Sequence, residues 1–219
     1  MSRKPTPWDA AVFAVPTFEL ADAGEQTLQM AITQPGHYTV KVDPLACKKA
    51  LHDYGFYYCD TLIEPYCSKA RFKAFAHTEV SVSKAVTFAQ VQPICHGAFA
   101  HGRFQRDFNL DRVKADLRYD NWLAALLAED KVYGVFFRGD LAGFIAVDGN
   151  ILVLHALSAA YRGQGLSKYF WTAVCQACFA DLEVLKSSIS ATNIPALNLY
   201  ASLGFQFSHP VDVYHRLTP

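Results

Sequence analysis

From about residue 80 onwards, hydrophobic and polar residues recur at spacings that predict a regular series of helices and strands. Strands at 131–138 and 141–148 are joined by Gly139 and Asp140, and Asp148-Gly149-Asn150 predicts a hairpin turn into a third strand at 151–158. Further helices are predicted at 88–100, 120–129, 167–179 and 194–203, and further strands at 185–191 and 211–217.

The first 75 residues give a weaker pattern. A helix is predicted at 45–54, after Asp43 and Pro44. The stretch 51–58, with Gly55 before an aromatic strand, echoes 199–207, where Gly204 has the same place. Both stretches predict a helix, a glycine stop and a strand. The echo indicates either a degenerate half-repeat or a coincidence, because helix–glycine–strand junctions are common.

Composition narrows the class of protein. The chain has 219 residues, of which 52% are hydrophobic, enough to fill a sizeable core. Twenty basic residues balance twenty acidic ones, so nothing predicts a nucleic-acid or anionic-membrane partner. The N-terminus lacks an apolar signal region, and no stretch of about 18 apolar residues occurs. We therefore expect a cytoplasmic protein.

The six cysteines form no dense disulfide framework in a chain of this length. Cys175 and Cys178 have the spacing of a metal-binding pair, but they fall inside a predicted helix and no second pair lies at a suitable spacing. Buried free thiols and no bound metal are the expectation.

The segment 154–167 predicts a binding site for a phosphate or pyrophosphate. An apolar strand ends in Arg162-Gly163-Gln164-Gly165, and a helix follows at once. Such a junction directs free backbone N–H groups and the positive end of the helix dipole at one point. The glycines let the backbone approach a bulky anion, and Arg162 adds charge. The spacing is neither that of a P-loop nor that of a dinucleotide fingerprint.

This turn resembles motif A of the GNAT N-acetyltransferases, which grips the pyrophosphate of acetyl-CoA, with Ser167 where the family has Gly or Ala. A second stretch resembles motif B of the same family: Asn193-x-x-Ala196-x-x-Leu199-Tyr200-x-x-Leu203-Gly204-Phe205. The order and spacing of the two motifs agree with the family. The resemblance covers about residues 80–219.

The resemblance implies an α+β GNAT fold, a mostly antiparallel mixed sheet flanked by helices, with a smaller divergent N-terminal α/β portion. We place the N-terminal portion at 1–76 and the acetyltransferase domain at 77–219. Acetyl-CoA is the implied co-substrate. The residues implied to hold it are Leu157, Arg162, Gly163, Gln164, Gly165, Leu166, Ser167 and Asn193. Asn193 would bond the pantetheine arm, or it would serve only as a helix cap.

In the family, the tyrosine that matches Tyr200 protonates the departing thiolate, so Tyr200 is the implied general acid. The general base stays open. His155 is one candidate, because strand alternation puts it on one face with Val153 and Leu157. The alternatives are that His155 is a structural histidine, or that a water chain ending on a carboxylate such as Asp107 takes the proton.

One branch of the family carries a similar N-terminal portion: the bacterial dTDP-4-amino-4,6-dideoxygalactose (TDP-fucosamine) N-acetyltransferases. The resemblance rests on Trp8-Asp9-x-x-x-Phe13, the stretch ending Gly55-Phe56, and residues 98–104 followed by Asn121-Trp122. It implies an acceptor wall of Arg103, Phe104, Asp107, Tyr119 and Trp122, with Phe108 nearby. Aromatic rings and Arg suit a nucleotide sugar, although core packing explains Phe108 and Trp122 equally well.

The expected function is therefore direct acetyl transfer from CoA to a primary amine, with a nucleotide-linked amino sugar as the favoured acceptor. The rival acceptors are an amino acid, a polyamine and a protein amine. A rival of another class is a non-catalytic acyl-CoA-binding module. Paired half-domains and edge strands would permit a homodimer.

Overall fold

One continuous mixed β-sheet runs through the protein, whose structure is a computed structural model that describes residues 3–219. The described residues form eleven strands and eight α-helices. The strands are β1 (Arg3–Pro5), β2 (Thr17–Leu20), β3 (Gly36–Val42), β4 (Tyr57–Ser68), β5 (Val80–Ser83), β6 (Val132–Phe137), β7 (Asp140–Asp148), β8 (Ile151–Leu157), β9 (Val184–Ser187), β10 (Ile189–Ser190) and β11 (Gln206–Thr218). The helices are α1 (Pro7–Phe13), α2 (Glu25–Thr33), α3 (Lys49–Asp53), α4 (Phe88–Cys95), α5 (Arg103–Arg106), α6 (Arg112–Ala128), α7 (Ser167–Cys178) and α8 (Ile194–Ser202).

The strands lie in the order β1-β2-β3-β11-β4-β9-β8-β7-β6-β5, and β10 pairs with β4. Only β2–β3 and β8–β9 are parallel pairs among the described strands. The two parallel pairs are each connected through a helix, α2 in the first case and α7 in the second. The prediction of an α+β fold with a mostly antiparallel mixed sheet is confirmed.

Two apolar clusters cover the two faces of the C-terminal part of the sheet. Residues of α7 and α8, including Phe170 and Tyr200, pack on one face, and residues of α4 and α6, including Val91 and Leu123, pack on the other. A third cluster joins α2 and α3 to β3 and β11. The sheet therefore positions helices on both sides of the strands that diverge at its centre.

Local sequence explains where the helices begin and end. Asn193 caps α8 by accepting a hydrogen bond from the Ala196 N–H at 3.2 Å. Gly204 follows that helix at φ +89°, where a Cβ would lie 2.6 Å from the Arg71 carbonyl oxygen. The predicted helix at 88–100 ends at Cys95, because Gly97 leaves helical geometry at φ +73°. The predicted helix at 120–129 begins earlier than expected, capped by Asp111.

In both the N-terminal and the C-terminal part, the last strand is inserted between strands of the other part. β4 lies between β9 and β11, and β11 lies between β3 and β4. The two echoing stretches have the same local structure: Phe56 N–H bonds the Leu51 carbonyl and Phe205 N–H bonds the Tyr200 carbonyl, each across a glycine of positive φ. No helix among the described residues has the length and hydrophobicity that crossing a membrane requires.

Candidate functional site

Two neighbouring strands diverge at the centre of the sheet and form a cleft. β8 and β9 pair only through Ile151–Lys186 and Leu152–Ser187. Beyond these pairs β8 continues to Leu157, whereas β10, which extends β9, pairs with β4 instead. The facing edges of the two strands are therefore free to bind an extended ligand through backbone groups.

A bulge changes the face to which Val153 points. The register between β7 and β8 shifts between the pairs Ala146–Leu154 and Val147–Leu152. Val153 packs with the cluster of α4 and α6, while Leu157 packs with that of α7. The expectation that Val153 shares a face with His155 and Leu157 is wrong, because a bulge breaks strand alternation.

At the open end of the cleft, the turn from β8 to α7 has the geometry of an anion site. Gly163 and Gly165 both have φ +72°, and a Cβ at either position would meet nothing within 4 Å. Among the described residues, the backbone N–H groups from Gly163 to Lys168 have no backbone acceptor. These free donors and the N-terminus of the twelve-residue helix α7 fit a pyrophosphate.

The remaining predicted residues of this turn lie close to it. Arg162 is exposed, and its Nε donates to the Leu157 carbonyl at 2.8 Å. Gln164 donates through its side chain to the Ala160 carbonyl. Leu166 and Ser167 are half-buried at the start of α7. The structure therefore brings the predicted cofactor residues of motif A into one exposed turn.

The structure brings together the two predicted catalytic residues, His155 on β8 and Tyr200 on α8. The Tyr200 hydroxyl lies 3.0 Å from His155 Nε2. The indole of Trp171 packs against the His155 ring with centroids 5.0 Å apart. Burial raises the pKa of Tyr200, and it lowers the pKa of His155 to about 4. At neutral pH, His155 is therefore an uncharged imidazole beside a protonated phenol.

The predicted acceptor residue Asp107 is the centre of a buried hydrogen-bond network. Its Oδ2 accepts from His37 Nε2 at 2.9 Å and from His215 Nδ1 at 2.7 Å, and its Oδ1 accepts from the Tyr57 hydroxyl at 2.9 Å. The backbone N–H of Asn109 also donates to Oδ1. Burial favours the neutral acid, but the hydrogen bonds from the two histidines outweigh it and hold the pKa of Asp107 below its usual range.

This network is also the one group of His, Cys, Asp and Glu side chains within residues 3–219 that is close enough to hold a metal ion. Its nitrogen–oxygen distances, 2.9 and 2.7 Å, are those of hydrogen bonds between the rings and the carboxylate. The expectation of a metal-free enzyme stays a prediction. The observed contacts connect β3, β4 and β11 around one carboxylate.

The other predicted acceptor residues form an aromatic and basic wall. The Arg118 guanidinium lies 4.3 Å from the ring centroid of Phe104, 5.4 Å from that of Tyr119 and 5.7 Å from that of Trp122. Its Nε donates to Asp9 at 2.5 Å. Arg118 was not predicted from the sequence, although its partner Asp9 belongs to the motif Trp8-Asp9-x-x-x-Phe13.

Arg103 lies in the same wall without a carboxylate partner among the described residues. Its guanidinium is 4.7 Å from the Phe104 ring centroid. Removal from water and the charge of Arg118 lower its pKa. An unpaired guanidinium beside a second one favours an anionic ligand.

Trp122 faces a different part of this surface. With Trp8 and Arg118 it lines a groove of about 490 Å³ that extends to Lys131 and Asp148. Phe108 is exposed and packs against Tyr57, with ring centroids 4.5 Å apart. Exposure of both rings argues against plain core packing for Phe108 and Trp122.

Sequence reasoning also missed Asp60, a buried carboxylate on β4. Ser190 Oγ donates to its Oδ1 at 2.7 Å and Arg106 Nη1 donates to the same atom at 3.1 Å. Its Oδ2 is buried without a partner. Burial raises the pKa of Asp60. No sequence motif signals this residue, since its partners lie 46 and 130 positions away.

Comparisons with known proteins give a family. The family model described as "Acetyltransferase (GNAT) domain" matches residues 107–216, half of the chain. No curated protein sequence matches the chain.

Three solved structures are similar in fold. A GCN5-related N-acetyltransferase from Sphaerobacter thermophilus is 9% identical with a TM-score of 0.60, over 93% of this chain and 73% of that one. A tandem GNAT protein from the clavulanic acid biosynthesis pathway is 10% identical with a TM-score of 0.57, over 92% and 75%. A functionally unknown conserved protein from Staphylococcus epidermidis is 13% identical with a TM-score of 0.65, over 100% and 92%.

At these identities the solved structures establish the fold alone. The family model establishes more, because it spans half of the chain and includes both the turn after β8 and helix α8. The chain belongs to the GNAT family of acetyltransferases, enzymes that transfer an acyl group from acyl-CoA to an amine.

Proposed function

We propose that the protein transfers an acetyl group from acetyl-CoA directly to the primary amine of an anionic small molecule, with a nucleotide-linked amino sugar as the favoured acceptor. The observation that carries this proposal is the contact at 3.0 Å between Tyr200 and His155, a residue of the strand β8 that leads into the turn with free N–H groups. A module that only binds acyl-CoA has no need of a phenol held by hydrogen bond to the strand that leads to this turn.

Acetyl-CoA supplies a thioester with an activated acyl carbon. The N–H groups of the turn from Gly163 to Ser167 hold its pyrophosphate, and Arg162 adds a positive charge. The free edge of β8 near Leu157 bonds the pantetheine arm and the thioester oxygen, with Asn193 on the opposite wall. These assignments to the cofactor follow the motifs and the free donors described above.

Tyr200 acts as the general acid. Its raised pKa keeps the phenol protonated, so it has a proton to donate to the departing thiolate. His155, with a pKa of about 4, is too weak a base for an ammonium ion at neutral pH. Its role is to orient the Tyr200 hydroxyl through the bond to Nε2.

The acceptor proposal rests on the unpaired Arg103 in a wall of aromatic rings. The unpaired Arg103 guanidinium attracts phosphate or carboxylate and repels a polyamine, whereas Arg118 is paired with Asp9. The resemblance to the TDP-fucosamine branch selects a nucleotide diphosphate among such anions, with Phe104, Tyr119 and Trp122 as stacking surfaces.

A thiol-release assay tests the acceptor. We expect turnover with a dTDP- or UDP-linked 4-amino sugar, and a KM at least tenfold higher for Arg103→Met with that acceptor but not with the free amino sugar. Turnover with amino acids or polyamines instead would contradict the acceptor proposal. Binding of acetyl-CoA without turnover on any of these amines would contradict the catalytic one.

We also propose that the N-terminal portion, placed at 1–76, is a degenerate half of a GNAT unit that supplies structure and acceptor contacts but no second cofactor site. Its parallel pair β2–β3, connected through α2, repeats the arrangement of β8–β9 and α7. Glu25 lies in the first turn of α2, and Asp22, just before the helix, already accepts the Gly24 N–H at 2.8 Å. Acidic groups at a helix N-terminus repel a phosphate.

A further inference from the structure

Helix α6 directs uncharged residues to solvent, the reverse of the usual arrangement on a surface helix. The exposed residues between positions 113 and 128 carry no charge: Val113, Leu117, Asn121, Trp122, Ala124, Ala125 and Ala128. Five of them lie within about 80° around the helix and are called the α6 face: Val113, Leu117, Asn121, Ala124 and Ala128. Val113 is 71% exposed and Leu117 is 46% exposed, so this face has no cover within the chain.

The charged side chains of α6 make contacts inside the protein instead. Arg118 pairs with a carboxylate of α1, and Lys114 donates to the Phe13 carbonyl. Asp116 accepts from a side chain of α5. Asp120 is buried and accepts from two side chains at the end of α4. The lack of charge on the α6 face therefore follows from where the charged residues are placed along the helix.

The two halves of the α6 face differ in size. Val113 and Leu117, in the first half, are large, whereas Ala124 and Ala128, in the second half, are small. Asn121 lies at the midpoint. If two copies of α6 lie antiparallel about Asn121, the large half of each copy meets the small half of the other. A parallel pair would place large residues against large ones, so the face is complementary to itself in the antiparallel direction alone.

Polar groups favour the same two-fold arrangement. Arg112 is exposed at the first residue of α6, and Glu129 is exposed just after its last. Antiparallel copies bring Arg112 of one copy close to Glu129 of the other, which are of opposite charge. The same pairing brings two Asn121 side chains together, and each amide can donate to the other and accept from it. A second copy of the chain therefore satisfies both ends and the middle of the face.

The groove beside α6 enlarges this surface. A helix of 17 residues is about 25 Å long and about 10 Å wide, so its footprint is about 250 Å². Each partner of a standard stable complex buries about 800 Å². Trp8 lines the groove beside Ala125 and is 56% exposed, and a large ring of this kind adds on the order of 100 Å². The available area is that of a weak, reversible dimer.

We propose that the α6 face, with the adjoining groove, is the interface of a reversible dimer with a second copy of this chain, in which two α6 helices pack antiparallel about Asn121. The inference does not depend on the proposed acetyl transfer. It is carried by the exposed uncharged face, its large and small halves, and the opposite charges at its two ends.

Sedimentation equilibrium of the full chain tests the interface, at concentrations from the low micromolar to the millimolar range. We expect a monomer–dimer equilibrium. Ala124→Glu and Leu117→Glu should each raise the dimer Kd 100-fold or more, because each variant brings two unpaired charges into the interface. Ala50→Glu is the matched control, since Ala50 is an exposed alanine of α3, and its Kd should stay within twofold of the wild type.

Thermal unfolding of the same variants separates an effect on the interface from an effect on folding. The substituted side chains are exposed, so the midpoints measured at low chain concentration should match that of the wild type. A wild type that stays monomeric over the whole range would overturn the proposal. So would a dimer that Ala124→Glu and Leu117→Glu leave as tight as Ala50→Glu does, because its interface would then lie elsewhere.

Cysteine cross-linking tests the orientation, in a Cys47→Ser background that lacks the exposed thiol. Asn121→Cys places two thiols at the two-fold axis, where a disulfide needs Cα atoms within about 7 Å of each other. We expect a covalent dimer on mild oxidation, and none in the Cys47→Ser background alone. Ala128→Cys lies about 10 Å along the helix from Asn121, so antiparallel copies hold its thiols about 20 Å apart and should not cross-link. Cross-linking at position 128, or its absence at position 121, would contradict the antiparallel pairing.

A charge exchange tests the two ends of the helix. Arg112→Glu places like charges opposite each other and should raise the dimer Kd three- to tenfold. Adding Glu129→Arg restores opposite charges, so the double variant should return to within threefold of the wild type. A double variant that dimerises no better than Arg112→Glu would refute the contact between Arg112 of one copy and Glu129 of the other.

Discussion

Tyr200→Phe is the substitution whose effect follows most directly from the structure. The ring of Tyr200 is fully buried, and Phe fills the same space, so only the hydroxyl and its 3.0 Å bond to His155 are lost. The loss leaves His155 Nε2 without its hydrogen-bond partner and should reduce the free energy of unfolding by about 1–3 kcal/mol. Packing in the cluster of α7 and α8 should stay unchanged.

The catalytic effect should be larger than the effect on stability. General acids contribute about 10²- to 10⁴-fold to the rate, and a water molecule in the vacated position recovers part of this. We therefore expect kcat to fall about tenfold or more, which corresponds to about 1.4 kcal/mol or more in the activation free energy. The affinity for acetyl-CoA, measured by calorimetry, should change less than twofold.

Tyr38→Phe is the matched control for this substitution. Tyr38 is equally buried, and its hydroxyl donates to the Gln34 carbonyl at 3.0 Å in the N-terminal portion. It should lose similar stability without a change in kcat. Equal kcat values for Tyr200→Phe and the wild type would refute the role of Tyr200 as the acid.

Three further predictions follow. Gly165→Ala and Gly149→Ala, at φ +72° and +58°, should each cost about 1–2 kcal/mol of stability, but only Gly165→Ala should weaken acetyl-CoA binding, by about tenfold in calorimetry. The pKa of His155 is about 4 in the folded protein against an ordinary 6.5, so the folded protein loses stability as the pH falls below 6.5. Urea unfolding should show that the wild type loses about 2 kcal/mol more than His155→Leu between pH 7 and pH 5. Asp107→Asn should cost about 3–5 kcal/mol in the same assay, since it breaks bonds to two buried histidines, and a cost below about 1 kcal/mol would contradict the structural role.

The elements of the C-terminal part could be predicted because their signals are local. Gly139 and Gly149 mark hairpin turns, and Asn193 and Gly204 mark the ends of one helix, so these boundaries agree with the structure within about one residue. The start of α6 could not be found, since the charged residues after Asp111 obscure its apolar period. The first 43 residues hold three strands and two helices that gave no clear pattern.

The candidate site residues also differ in whether local sequence signals reveal them. The turn after β8 and Tyr200 lie in contiguous motifs, so they could be selected as candidates from the sequence. Asp60 meets Ser190 of β10 only because β4 inserts between β9 and β11, and no local sequence signal predicts that strand order. Likewise, the partners of Asp107 are histidines at the two ends of the chain, His37 and His215, so its burial could not be foreseen.

The most direct test of the central claim measures thiol release and product mass together, with acetyl-CoA and a nucleotide-linked 4-amino sugar. Direct transfer predicts one free thiol and one N-acetylated sugar per turnover, and no acetyl group on the protein after rapid quenching. Thiol release without an acetylated amine, or acetyl-CoA binding without thiol release, would contradict it.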